Sequence, residues 1–201
     1  MTHLMLLLIT LLLPLLANTG QNQMVFAKGK NNNSNVREAC SVTRYQNLCI
    51  HTLSHFSNTA GTSPSKWARA GVSVTITEVK NVQAYLTKLK KNKRMMKGRN
   101  RAALSDCVEC FADALDELHR SLGVLRRLSK KTFSTQMGDL NTWISAALTD
   151  EDTCIDGFEG KTERQIKLLQ NRVQNVSYIT SNALALVNKL ATTGLGSITD
   201  P

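Results

Sequence analysis

The chain has 201 residues and a formal net charge of +10 at pH 7, from 25 basic and 15 acidic side chains. Its apolar run at residues 4–16 is too short to span a bilayer, and no second long run follows it. These properties argue against an integral membrane protein and fit one basic domain with a hydrophobic core. A protein with such a positive charge is expected to bind polyanions, but the charge alone does not indicate whether the partner is nucleic acid, an anionic membrane or an acidic polysaccharide.

Residues 1–27 are predicted to be a cleaved secretory signal peptide. Residues 4–16 have the length of its apolar core, and Val25-Phe26-Ala27 offers a cleavage site. The polar sequence KGKNNNSN at residues 28–35 predicts a disordered arm. We therefore expect a secreted protein whose folded domain spans residues 36–195.

The domain is predicted to be all-α. A cysteine-bearing helical piece at about residues 36–62 ends in a turn-rich break at Gly61, and Pro64 suits the start of a helix. Four segments follow in which apolar residues recur at steps of three and four. Short joints between them favour an up-down-up-down four-helix bundle at about residues 64–195. The apolar stripes run through Val72–Leu89, Leu104–Leu125, Leu140–Leu148 and Ile166–Leu190.

A basic run separates the first two long helices. The sequence KLKKNKRMMKGRNR, residues 88–101, has eight basic residues among fourteen. It is interpreted first as a solvated helix end with its loop, and the alternative is a patch that contacts a polyanion.

The acidic stretch TDEDTCIDGFEG, residues 149–160, resembles the start of a calcium loop. That pattern requires an oxygen ligand at Cys154, glycine at Ile155 and glutamate at Lys161, and it fails at all three. A glycosidase-like pair of carboxylates would need an opposing wall, which one helix end does not supply. We therefore expect its five carboxylates to be a solvated helix end, without a metal site.

Five cysteines in an oxidising compartment predict two disulfides and one free thiol. The C-V-E-C motif at residues 107–110 lies inside a regular helical pattern, which suits neither a thioredoxin motif nor a zinc site. Cys107 shares the apolar seam with Leu104 and Phe111, whereas Cys110 lies on a more polar flank. The predicted cysteine states are the disulfides Cys40–Cys49 and Cys107–Cys154 and a free thiol at Cys110.

No catalytic residue or cofactor is predicted. His51 and His55 lack the glutamate of a zinc protease, and the chain has no nucleophile elbow, phosphate loop or dinucleotide fingerprint. Asn32 and Asn175 begin N-glycosylation triplets, which fits export.

Four stretches together resemble the plant invertase and pectin methylesterase inhibitor family. They are CSVTRYQNLC (40–49), ALSDCVECFADALDELHRSLGVL (103–125), TWISAALTDEDTCIDGFEG (142–160) and TSNALALVNKLA (180–191). The resemblance implies a four-helix bundle behind an N-terminal helical hairpin, with the same two disulfides. This chain departs from the family pattern at two positions: Gln46, where proline is frequent, and Cys110, where the family usually lacks a cysteine.

The resemblance also implies the function of a proteinaceous inhibitor in the plant cell wall. GFEGKTERQ stands where the invertase branch tends to carry a Pro-Lys-Phe-like element, which favours the pectin methylesterase branch. That branch covers the pectin-binding cleft of its enzyme in a 1:1 complex, and Glu109 and Thr153 match positions implicated in contact. Val108 stands where a second acidic residue can occur. The alternatives are an inhibitor of invertase and a basic protein that binds acidic pectin; neither nucleic acid nor membrane is an expected partner.

Overall fold

The computed structural model describes residues 30–92 and 96–195, with the side chains described from Ser34 onward. Within these ranges the chain is helical apart from short connections, and no strand occurs there. The predicted signal peptide, the side chain of Asn32 and residues 93–95 of the basic run lie outside the described part.

The N-terminal part is a helical hairpin made of α1 (Lys30–Cys40) and α2 (Gln46–Leu53). A 3₁₀ turn, Ser54–Phe56, and a short α3, Ser57–Ala60, lead into the bundle. Residues 30–35, which we expected in a disordered arm, form the first turns of α1. The second half of α1 is anchored by buried Val36, Ala39 and Cys40. Extending an anchored helix is easier than nucleating one, so the polar residues continue it.

Three sets of contacts hold the hairpin in place. The disulfide Cys40–Cys49 joins α1 to α2 with a Cα–Cα distance of 5.8 Å. Asn182, which is buried, accepts a hydrogen bond from the Tyr45 backbone N–H over 3.1 Å and donates its amide to the Tyr45 carbonyl over 3.0 Å. The ring of Tyr45 stacks on Tyr178 with centroids 4.0 Å apart. The connection between α1 and α2 is therefore fixed to the last long helix.

The bundle consists of four long helices: α4 (Pro64–Lys91), α5 (Arg99–Leu125), α6 (Phe133–Asp156) and α7 (Arg164–Thr193). Each packs mainly against two others, in the ring order α4, α5, α6, α7 and back to α4. The predicted up-down-up-down bundle is confirmed. Because of the ring order, the α4–α7 face and the α5–α6 face lie on opposite sides of the molecule.

The core follows the predicted three-and-four spacing. Its largest buried side chains include Leu86, Phe111, Leu118, Leu140, Ile144, Leu169 and Leu190. At Gly71 the helices α4 and α7 approach closely, since a Cβ atom there would lie 3.1 Å from Leu186 Cδ1 and 3.4 Å from Ala183 Cα. In the described ranges, no helix combines the length and the apolar character needed to cross a membrane.

Candidate functional site

The second disulfide lies at the centre of the candidate site. Cys107 of α5 and Cys154 of α6 are bonded, with a Cα–Cα distance of 4.4 Å, and both are buried. Glu109 and Thr153 flank this bond and are exposed. Thr153 donates its hydroxyl to the Thr149 carbonyl over 2.8 Å, which leaves the hydroxyl oxygen able to accept. The disulfide therefore keeps the two predicted contact residues on neighbouring helices of one face.

Charge is strongly segregated around the bundle. Helices α5 and α6 together carry ten acidic and three basic residues, whereas α4 and α7 carry one acidic and ten basic residues. The α5–α6 face is thus acidic in a protein of net charge +10. This asymmetry was not part of the sequence prediction, although the composition of each helix would have shown it.

Five carboxylates define what we call the acidic face. Four follow one stripe of α5 at helical spacing, and the fifth comes from α6. Asp106, Glu109 and Asp113 are exposed, while Glu117 and Asp150 are half-buried. The acidic face consists of Asp106, Glu109, Asp113, Glu117 and Asp150. Of these, Glu109 alone is a contact residue predicted from the sequence.

Partial burial, together with neighbouring like charges, makes this face responsive to pH. Partial burial raises the pKa of Glu117 to about 6, with further contributions from the carboxylates of Asp150 and Asp113 and an opposing one from Arg120. The Oε2 atom of Glu117 is buried and has no hydrogen-bond partner within the described ranges. Partial burial and Asp113 also raise the pKa of Asp150. The face therefore begins to take up protons in mildly acidic solution.

The free thiol lies within the same face. Cys110 is half-buried and forms no disulfide, as predicted. Burial raises the pKa of the Cys110 thiol, and the carboxylate of Asp150 raises it further. The thiol form therefore predominates at neutral pH, and the low-pKa environment of a reactive cysteine is absent at this position.

The prediction of five solvated carboxylates at residues 149–160 was wrong for Glu151. Asp152, Asp156 and Glu159 are exposed, but Glu151 is 0% exposed. Its Oε1 accepts a hydrogen bond from Thr180 Oγ1 over 2.7 Å, and its Oε2 has no partner in the described part of the chain. Burial raises the pKa of Glu151 to about 8.

The position of Glu151 follows from helical spacing. Ala147, Glu151 and Cys154 recur at steps of four and three, and all three are buried on the inner side of α6. The apolar pattern of α6 therefore pointed to this position. The prediction was wrong because all five carboxylates were assigned to solvent together, without assigning each residue to a side of the helix.

The remaining predicted residues lie away from this face. Asn175 is exposed on α7, next to the Tyr45–Tyr178 stack. Ser177 of the same triplet is buried and donates its hydroxyl to the Val173 carbonyl over 3.3 Å. Among the described residues, no group of three or more histidine, cysteine, aspartate or glutamate side chains is arranged to hold a metal ion.

These observations define a disulfide-linked four-helix bundle with an N-terminal hairpin, whose candidate site is an exposed acidic surface. The sequence profile of the family described as "Plant invertase/pectin methylesterase inhibitor" matches residues 34–186, and the chain belongs to this family. The family description names inhibitor proteins, in agreement with the expectation from the sequence that this chain is an enzyme inhibitor.

Several relatives are similar over most of their length. Pectinesterase inhibitor 6 of Arabidopsis thaliana is 46% identical over 182 residues, which cover 90% of this chain and 86% of the relative. Pectinesterase inhibitor 3 of the same species is 38% identical over 161 residues, covering 77% and 78%. A crystal structure of a mutant pectin methylesterase inhibitor from Arabidopsis has a TM-score of 0.60 at 19% identity, covering 74% of this chain and 92% of that one. The structural likeness confirms the all-α fold.

Proposed function

We propose that this protein inhibits pectin methylesterase by placing the acidic face against the enzyme and covering its pectin-binding cleft in a 1:1 complex. One observation carries the proposal: the Cys107–Cys154 disulfide links the two helices on which Glu109 and Thr153 are exposed. The names of the relatives, which are pectinesterase inhibitors, support the choice of target.

The charge of the face supports the same choice. An enzyme that binds an acidic polysaccharide benefits from positive potential in its cleft, because like charges would repel the substrate. The exposed carboxylates of the face, Asp106, Glu109 and Asp113, are complementary to such a cleft, and complementary charge steers association and suppresses wrong partners. The remainder of the molecule is basic and would be repelled by the same cleft, so the charge also sets the orientation of docking.

The proposal includes a location and a domain assignment. Secretion to the cell wall is supported by the predicted signal peptide at residues 1–27 and by two disulfides, which persist in oxidising compartments. Residues 36–195 act as the inhibitory domain. Glycans at Asn32 and Asn175 remain proposals, and the exposed position of Asn175 supports the second.

Titration of purified plant pectin methylesterase with the protein tests the proposal. Activity should fall linearly and reach its minimum at one inhibitor per enzyme, while a plant invertase assayed in parallel stays active. Loss of invertase activity with intact methylesterase activity would reverse the assignment.

The contact residues are tested with charge-matched variants. Glu109→Gln and Thr153→Ala should each weaken inhibition several-fold. Glu78→Gln removes a carboxylate from α4, outside the acidic face, and should leave inhibition within twofold of the unchanged protein. Equal effects of Glu109→Gln and Glu78→Gln would contradict docking through the acidic face.

A further inference from the structure

The α4–α7 face, on the side of the bundle opposite the acidic face, contains a groove of about 680 Å³. Its lining combines cations with apolar surface, and no carboxylate of the described residues contributes to it. We call it the basic groove and define it by Tyr85, Lys88, Lys91, Arg164 and Leu168. It is built from two helices that are far apart in sequence, so the basic run at residues 88–101 supplies only part of it.

The cations of the groove are available to a ligand. Lys88, Lys91 and Arg164 are exposed, and within the described ranges their side chains form no ion pair or hydrogen bond. Lys90 differs, because its ammonium group donates to Ser105 Oγ over 2.8 Å and so lies on the α5 side of α4. Two lysines of α4 and the first residue of α7 therefore concentrate positive charge at one end of the groove.

A fourth basic residue, Arg172, extends this charge along α7. The guanidinium of Arg172 lies over the ring of Tyr85, 4.7 Å from its centroid. A guanidinium has five N–H donors, and contact with a ring on one side leaves donors for a carboxylate. Arg164, Leu168 and Arg172 follow one stripe of α7 at steps of four, so the two arginines are about 12 Å apart along the helix axis.

Between these cations the floor of the groove is apolar. Leu168 is 48% exposed, which is unusual among the leucines that the structure describes, and it lies beside the half-buried ring of Tyr85. Apolar side chains at this position can pack against the C–H faces of sugar rings, while cations on either side neutralise acidic groups. A flat anionic membrane would not reach the floor of a groove, and a partner with a purely ionic surface would gain nothing from exposed Leu168.

We propose that the basic groove binds a linear polyuronate, the chemical class of de-esterified pectin, with its carboxylates on Lys88, Lys91, Arg164 and Arg172 and its sugar rings over Leu168. Because the groove and the acidic face are on opposite sides, the protein binds the polysaccharide and its enzyme at the same time. This inference goes beyond inhibition: the binding itself does not require the proposed function, and only the simultaneous complex rests on it.

The test measures affinity for polygalacturonate and for highly methyl-esterified pectin of the same chain length, at several salt concentrations. Polygalacturonate should bind at least tenfold more tightly, and the difference should shrink as salt rises, because screening weakens contacts between exposed charges. Equal affinity for the esterified polymer, or equal affinity for a single-stranded DNA of the same charge, would overturn the assignment to a polyuronate.

Two variants locate the binding. The double substitution K88Q/K91Q should reduce affinity for polygalacturonate about tenfold or more, whereas K130Q/K131Q, which removes the same charge from exposed lysines at the opposite end of the bundle, should change it less than twofold. Leu168→Ala keeps every charge and should weaken binding several-fold. Equal losses in both lysine pairs, or no loss in Leu168→Ala, would mean diffuse attraction to the whole basic surface and would refute the groove.

Inhibition assays separate this proposal from the preceding one. K88Q/K91Q should inhibit pectin methylesterase like the unchanged protein, and the enzyme should co-sediment with polygalacturonate beads through the unchanged inhibitor but not through K88Q/K91Q. If the protein binds polygalacturonate yet inhibits no methylesterase, the proposed function fails and the groove stands. If inhibition is intact and polygalacturonate is not bound, the groove fails alone.

Discussion

Thr180 of α7 donates its hydroxyl to the carboxyl group of Glu151 on α6 over 2.7 Å, in the interior of the bundle. Thr180 also donates to the Val176 carbonyl over 3.1 Å, so its hydroxyl is shared between two acceptors. Ser177, which is also buried on α7, interacts with the same carboxyl group, so two polar side chains of α7 face Glu151 in the core. An uncharged Glu151 can be accommodated here, whereas a charged one would lose its hydration without a cation to replace it.

Stability should therefore decrease as pH rises. Burial raises the pKa of Glu151 from its ordinary 4.5 to about 8, and the neighbouring acids Asp152 and Asp150 act in the same direction. Between these two pH values the folded state holds a proton that the unfolded state has lost, so the free energy of unfolding falls across this window. The total effect of Glu151 is on the order of a few kcal/mol.

Urea unfolding at pH 5 and pH 8 measures this effect. Glu151→Gln keeps an acceptor for Thr180 and cannot ionise, so it should lose most of the difference between the two pH values and be the more stable protein at pH 8. Asp156→Asn, an exposed change on the same helix, serves as the control and should retain the pH dependence. A pH dependence in Glu151→Gln equal to that of the unchanged protein would show that Glu151 is not its source.

Inhibition should be tighter in mildly acidic than in neutral solution. In the proposed complex, the exposed carboxylates of Glu109 and Asp113 attract the enzyme. Glu117 is half-buried, and its Oε2 has no hydrogen-bond partner among the described residues. The raised pKa of Glu117, about 6, means that it accepts a proton readily, and further loss of water on docking favours the uncharged form. Binding therefore takes up a proton at Glu117.

Inhibition constants at pH 5.5 and pH 7.5 check this prediction. The inhibition constant of Glu117→Gln should be about the same at pH 5.5 and pH 7.5. The unchanged protein should reach that constant only at pH 5.5. Asp116→Asn, which changes a neighbouring exposed carboxylate outside the defined face, should keep the pH dependence. Weaker inhibition at pH 5.5 than at pH 7.5 would give Glu117 the opposite role, that of a charged contact.

Removal of the α5–α6 disulfide should reduce both stability and inhibition. The bond Cys107–Cys154 closes a loop with a sequence separation of 47 residues. Loss of such a link lowers the free energy of unfolding by about 4 kcal/mol in the chain-entropy description. The double variant C107S/C154S avoids a new pairing with Cys110, and Cys110→Ser is its control. Urea unfolding should show a large loss for the double variant and a small one for Cys110→Ser; the reverse order would contradict the pairing.

Asn182→Ala should release the hairpin from the bundle. The substitution leaves the backbone N–H and carbonyl of Tyr45 without their partner, at a cost of about 1–3 kcal/mol for unsatisfied polar groups. Asn188 lies on α7, like Asn182, and forms an exposed hydrogen bond with Asn141 of α6. Asn188→Ala removes that bond and is the matched control. Limited proteolysis should cut the Asn182→Ala variant between α1 and α2 first, and equal resistance of both variants would argue against this anchoring role.

The fold was predictable because its signals are local. Steps of three and four located the four long helices, and the position of Cys107 on the seam with Phe111 gave the correct pairing. The start of α1 at Lys30 was missed, because the polar composition of residues 28–35 does not show that Val36 and Cys40 anchor the helix behind it. Glu151 was missed because an acidic neighbourhood was read as solvated although its helical position was inward.

The candidate site required tertiary information. Glu109 and Thr153 came from the family resemblance, and their roles in contact remain proposals. Asp150 joins the acidic stripe of α5 only because α6 packs beside it, and Arg164 joins Lys88 only because α7 closes the ring next to α4. The charge of each helix is visible in the sequence, but the order of helices around the bundle, which converts those charges into two faces, is not.

The ring order makes the molecule a permanent electric dipole. With ten basic residues on α4 and α7 and ten acidic residues on α5 and α6, its positive and negative halves are separated by the width of the bundle. Near any extended polyanion, the field turns such a molecule so that α4 and α7 approach the polymer. Glu109 and Thr153 then point away from the polymer, so an inhibitor loosely adsorbed on a negatively charged matrix is already aligned to receive an arriving enzyme.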